Sequence, residues 1–152
     1  MSDQQQPYQQ APQQPYQQQP YKQSPQQQQN QLSPNAELNW AAAAHWSGAV
    51  SALLGFMTFI GPVLVFFLAG GRSRVVRAHA VDAINFEISM WLTAIGIVLG
   101  SVVLMFVGIG FLTIWLAPLV GIFVIVCHFL GAVRTINGQP WRYPLTYPFI
   151  KG

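Results

Sequence analysis

The sequence predicts an all-α integral membrane protein with three transmembrane helices, and three observations lead there. Charged residues make up 7% of the chain and hydrophobic ones 52%, where a soluble domain carries about a quarter charged residues. Two stretches, Leu38 to Gly71 and Ile88 to Val133, contain no Asp, Glu, Lys or Arg, and a crossing takes about 20 apolar residues. The second stretch is long enough for two crossings and is interrupted by Gly108-Ile109-Gly110.

Taken in order, residues 1–37 are rich in Gln and Pro, with Pro-Tyr repeated at Pro7-Tyr8, Pro15-Tyr16 and Pro20-Tyr21. Such a segment buries too little apolar surface to offset its ordering entropy, so a disordered, solvated tail is expected. The helical membrane domain follows over residues 38–152. Its first span is expected over about residues 40–69, longer than one crossing and shorter than two. Gly61-Pro62 falls inside it, and Pro removes a backbone hydrogen bond, so this helix should be kinked or broken there. Spans two and three are expected at about residues 83–107 and 111–133, and so short a connection makes them an antiparallel hairpin. In the segment 134–152, Pro140, Pro144 and Pro148 preclude a regular helix, and the chain should lie along the interface or against the polar loop.

Arg72, Arg74 and Arg77 fill the polar loop, and Arg134, Arg142 and Lys151 follow the last span. Cytoplasmic loops carry the excess of basic residues, which places the loop and C-terminus inside the cell membrane with the arginines on lipid headgroups. Three spans then put the N-terminus outside; if Leu38 to Gly71 is instead a re-entrant hairpin, the tail stays inside. The net charge of +3 is read as topology, with no nucleic-acid partner. Trp40, Trp46, Trp115, Trp141, Tyr143 and Tyr147 fit the aromatic belts at the two interfaces.

At about 100° per residue, His79, Asp82, Asn85 and Ser89 share one face of the second helix, continued by Thr93, Gly96 and Gly100, while Glu87 points elsewhere. Small residues let helices approach closely in lipid, so Gly96 and Gly100 are expected to pack against a helix of this chain or of a partner. On the third span His128 faces the same way as Ala117, Gly121 and Ala132. An unpaired ionisable group at such depth is costly, which predicts that His128 contacts Asp82 or Asn85. One His and two carboxylates are few for a proton or ion relay.

No P-loop, Gly-x-Ser-x-Gly or nucleophile-base arrangement is present. His45, His79 and His128 with Cys127 have no recognisable metal spacing. No catalytic residue, metal or cofactor is expected, and Cys127 reads as a packing residue.

The stretches "AAHWSGAVSALLGF", "IGPVLVFFL", "VRAHAVDAINFEIS" and "GQPWRYPL" resemble a family of small bacterial membrane proteins. That family is distantly similar to the chloroplast inner-envelope translocon channel component, the Tic-twenty family. The resemblance covers about residues 38–150. It rests on His79, Ala83, Asn85 and Phe86 and on the box Trp141, Arg142, Tyr143 and Pro144. It implies a link to protein translocation, although the plastid relatives are similar to a four-helix subunit. Together these readings favour a non-enzymatic accessory or assembly subunit that binds another membrane protein or a second copy through Gly96 and Gly100. A small oligomeric transport or channel subunit is the rival.

Overall fold

Ser33 opens the first helix: its hydroxyl accepts from Ala36 N, and Pro34 takes the first helical position, where a missing N–H costs nothing. The computed structural model describes residues 31–55 and 58–151. Among the described residues there are five helical segments: α1 (Pro34–Leu53), α2 (Ile60–Ala69), α3 (Arg74–Met105), α4 (Gly110–Thr113, a single turn) and α5 (Leu116–Ile136). Among the described residues there is no strand. The expected tail over residues 1–37 lies mostly outside the described residues, and its last four, Pro34 to Glu37, belong to α1.

The first apolar stretch is not one helix kinked at Gly61-Pro62. It is a helical hairpin that reverses between Leu53 and Ile60, and Gly61-Pro62 sits in the first turn of α2, where Pro is tolerated. The hairpin is tight: a Cβ on Gly61 would stand 2.5 Å from Ser47 Cβ. α2, with 10 residues, rises only about 15 Å, half of a bilayer's hydrocarbon core.

α3 begins at Arg74 rather than near residue 83, because Ser73 caps it by accepting from Val76 N and donates its own proton to the Glu37 carboxylate. That bond ties the start of α1 to the start of α3. Arg74 and Arg77 therefore lie in the first turns of α3, and the Arg77 guanidinium sits 5.4 Å over the Phe66 ring. The α3–α4 connection turns as expected: Gly108 takes φ 80°, with Ile109 N bonded to Leu104 O and Gly108 N to Met105 O. This pair closes a helix end on a left-handed glycine. Gly138, at φ 69°, ends α5 in the same way through Gln139 N to Arg134 O and Gly138 N to Thr135 O.

Two helices are long and apolar enough to cross a membrane, Arg74–Met105 and Gly110–Ile136. Their most apolar stretches are only 11% and 17% buried within the protein. Leu92, Leu99, Val103 and Phe106 on α3 and Leu119, Ile122 and Phe129 on α5 are exposed, a surface suited to lipid and not to water. No third helix among the described residues meets the same length and hydropathy. The third apolar element is the α1–α2 hairpin, and α1 has its most extensive contact with α5, beside which α3 makes the other wall.

The core has two parts. Near the arginine-rich end, Ala41, Ala44, Val65, Ala69, Val76 and Ala80 bring α1, α2 and α3 together. Deeper, Ala83, Phe86, Met90, Val124 and Cys127 meet Tyr143, which returns from the C-terminal segment. That segment packs against α3. Asn85 Nδ2 donates to Ile150 O and Ile150 N donates to Asn85 Oδ1, both at 2.8 Å, and Tyr147 N donates to Ser89 Oγ at 2.9 Å.

Candidate functional site

α1, α3, α5 and the C-terminal segment each send ionisable side chains to one line of hydrogen bonds through the bundle. His79 Nδ1 lies 3.0 Å from His45 Nε2, and His45 Nδ1 lies 2.5 Å from Tyr143 Oη. Tyr143 Oη lies 2.7 Å from His128 Nδ1, and His128 Nε2 lies 2.6 Å from Glu87 Oε1. Thr58 Oγ1 donates to Glu87 Oε2 at 2.5 Å, and Trp91 Nε1 donates to Thr58 Oγ1 at 2.9 Å. His45 and His128 are fully buried and Glu87 is 1% exposed. A carboxylate at that depth is tolerated only when paired and hydrogen-bonded, and here both of its oxygens are.

Two glycines make room for the line. A Cβ on Gly48 of α1 would stand 2.5 Å from His128 Nδ1 and 2.7 Å from His128 Nε2. A Cβ on Gly131 of α5 would stand 2.7 Å from Trp141 Nε1 and 3.1 Å from His45 Nδ1. Each helix thus carries a His and, one turn on, a Gly that admits the other helix's His. His45-Trp46-Ser47-Gly48 and His128-Phe129-Leu130-Gly131 are the same pattern used reciprocally. Tyr143 is held from its other side by Phe86, whose ring stacks on it at 4.3 Å and 12°. Burial first, then the negative charges of Glu87, Cys127 and Asp82, push the Tyr143 phenol well above its usual range, so it stays protonated and able to donate.

His128 therefore pairs with Glu87, and neither Asp82 nor Asn85 is its partner. A uniform helical wheel aims Glu87 away from the face of His79, Asp82 and Asn85, but α3 packs against α1 and α2 as well as α5, so a second face of it is buried in the core. Asp82 is exposed and interacts electrostatically with His79 and Arg142. Asn85 and Ser89 dock the C-terminal segment, and Thr93 donates to Ser89 O. Gly96, Gly100 and Gly121 pack nothing within the chain: a Cβ on any of them meets no atom within 4 Å. Thr93, Gly96 and Gly100 are exposed, so this seam faces outward. Of the remaining arginines, Arg134 sits 5.7 Å over the Trp141 ring, while Arg74 and Arg142 are exposed.

Sequence reasoning passed over His45, Tyr143, Thr58 and Trp91 as members of one site. The His-x-x-Gly pattern on α1 and α5 is the signal that could have found the two buried histidines. Thr58 and Trp91 carry no such mark. Among the described residues no group of three or more His, Cys, Asp or Glu side chains could hold a metal ion.

The fold and this site define a small helical membrane protein whose polar residues are gathered into its interior. The family model for the magnetosome magnetite crystal formation proteins, MamF/MmsF, matches residues 36–150, and the chain belongs to that family. The match takes in α1 from its third residue, α2 to α5, and the docked C-terminal segment as far as Ile150. It replaces the resemblance to the Tic-twenty family, and with it the link to translocation: His79, Asn85, Phe86 and the box at 141–144 lie inside the matched region. No curated protein and no solved structure matches the chain.

Proposed function

We propose that the protein is a non-enzymatic membrane component of magnetite crystal formation, seated in the magnetosome membrane. The observation that carries this reading is the family match over residues 36–150, which spans the whole described helical core rather than one motif. Two crossings by α3 and α4–α5, with the α1–α2 hairpin entering and leaving on one side, put both termini at the arginine-rich end. The Glu37–Ser73 bond supports this arrangement. The excess of basic residues orients that end toward the cytoplasm. The outward seam of Thr93, Gly96 and Gly100 is then the surface for a second copy or another membrane protein.

Reconstitution tests the reading. Vesicles loaded with iron salts and brought to conditions where iron oxide forms are compared with and without the protein, and crystal size and shape are scored by electron microscopy. A shifted or narrowed size distribution is expected. Identical crystals in both sets of vesicles overturn it.

A further inference from the structure

We propose that the line from His79 through His45, Tyr143 and His128 to Glu87 is a proton wire that loads the buried Glu87 carboxylate from the arginine-rich end of the bundle. The inference rests on the geometry alone and stands apart from the crystal-formation reading.

The donor and acceptor inventory carries it. Trp91 Nε1–H and Thr58 Oγ1–H can only be arranged one way, Trp91 giving to Thr58 and Thr58 giving to Glu87. With Glu87 ionised, its other oxygen accepts from His128 Nε2–H, which leaves His128 Nδ1 as an acceptor. Tyr143 Oη–H then donates to His128, His45 Nδ1–H to Tyr143, and His79 Nδ1–H to His45 Nε2. Every bond is made, all three histidines are neutral, and every proton points toward Glu87. A proton that arrives on His79 Nε2 is answered by four shifts. His79 passes its Nδ1 proton to His45 Nε2, His45 its Nδ1 proton to Tyr143 Oη, Tyr143 its phenolic proton to His128 Nδ1, and His128 its Nε2 proton to Glu87 Oε1. One proton has entered, and one carboxylate has become one carboxylic acid. In the reversed line Glu87 donates to His128 Nε2, His128 Nδ1 to Tyr143, Tyr143 to His45 Nδ1, and His45 Nε2 to His79 Nδ1. No bond is lost in either polarity. A clasp that served only stability has no need of two such states.

The surroundings suit an entrance at one end. His79 is half-buried at the arginine-rich end, with exposed Asp82 one turn along α3 and Arg142 interacting with that carboxylate. Glu87 bonds His128 of α5 and interacts with Tyr143 of the C-terminal segment; the elements packed round it also carry Cys127 on α5, His45 on α1 and Arg142 beside Asp82. α3 adds His79 and Asp82, and α2 carries none. The eight residues from His79 to Glu87 on α3 carry the proton about 12 Å inward.

The test is infrared difference spectroscopy of the intact chain in phosphatidylcholine vesicles after a jump from alkaline to acid buffer. Other carboxylates such as exposed Asp82 protonate in the same jump, so the signal is a carboxylic acid C=O component present in the wild type and missing from Glu87→Gln. Tyr143→Phe keeps the ring and removes the relaying hydroxyl. The band should then form more slowly by on the order of a hundredfold, the lower end of what a positioned proton-transfer group contributes. His79→Asn alters only the half-buried entrance, leaves the interior to fold, and should slow the band similarly. No difference between the wild type and Glu87→Gln in this band, or an unchanged rate for the Glu87 component in His79→Asn, overturns the wire.

Discussion

Replacing Gly48 by Ala adds one methyl group where the structure has no room for it. The added Cβ would meet His128 Nδ1 at 2.5 Å and Nε2 at 2.7 Å, well inside ordinary contact. The imidazole cannot swing aside freely, because Glu87 and Tyr143 hold it at 2.6 and 2.7 Å. Moving it costs about 1–3 kcal/mol as overpacking and leaves one hydrogen bond to a charged group unmade, worth about 1.5–3 kcal/mol. Ala returns about 1 kcal/mol over Gly in a helix interior, so the net loss is about 2–5 kcal/mol. Gly96→Ala and Gly100→Ala are the internal controls, because a Cβ at either meets nothing within 4 Å. They should leave the monomer unchanged or more stable by up to about 1 kcal/mol. Unfolding in detergent micelles, followed by the loss of helical circular dichroism against denaturant, reads all three. If Gly48→Ala is as stable as the wild type, or if Gly96→Ala harms the monomer as much, the reciprocal packing of α1 and α5 is wrong. A fall in self-association caused by Gly96→Ala without monomer destabilisation would instead identify the outward seam as a contact between copies.

Three further outcomes follow from the same geometry. Asn85→Ala removes both bonds to Ile150 and should free residues 144–151, seen as faster amide exchange and protease cleavage there, at a cost of about 1–3 kcal/mol; unchanged exchange would refute the docking. Because burial and nearby negative charge raise the Tyr143 phenol, its contribution is fully present below the unfolded value of about 10 and is lost as pH rises beyond it. The wild type should thus lose stability above that pH more steeply than Tyr143→Phe, and equal slopes would refute the assignment. With Cys127 replaced by Ala, Asn35→Cys and Lys151→Cys should both react with an impermeant maleimide from the same side of sealed vesicles; labelling from opposite sides would restore three crossings.

The helical class and the two long apolar elements were legible because charge-free stretches of sufficient length leave few alternatives. The glycine turn at 108–110 was legible too, since a helix closed by a left-handed residue favours Gly. What escaped was the behaviour of residues 38–71. Hydropathy reports that a segment is apolar and not whether it crosses or turns back, and Gly61-Pro62 was a misleading marker because Pro fits a helix's first turn as well as a break. The reversal lies instead between Leu53 and Ile60, where the sequence offers Gly55 at φ 112° and no proline. Once α1 is placed as a third wall, the wheel drawn for α3 alone loses its authority: Glu87, off the expected face, becomes a buried partner of His128. The run Ala41 to Ala44 with Gly48 was the clue that α1 is the closely packed helix within the chain, and the small-residue argument applied to Gly96 and Gly100 holds there too.

The buried polar line also bears on why such a core exists at all. Replacing a buried ion pair by well-packed apolar residues is often neutral or stabilising, and in lipid an apolar interior would need no solvent to justify it. Stability alone is then a weak reason to bring three histidines, a tyrosine and a glutamate together between α1, α3, α5 and the C-terminal segment. The proposed proton wire supplies a stronger one, because it requires groups that exchange donor and acceptor roles without losing a bond. That requirement also connects the wire to the proposed setting. Metal ions lower the pKa of the water they bind, so converting hydrated iron to an oxide releases protons, and a membrane enclosing such a crystal is where a carboxylate loaded and unloaded from one face has chemistry to meet.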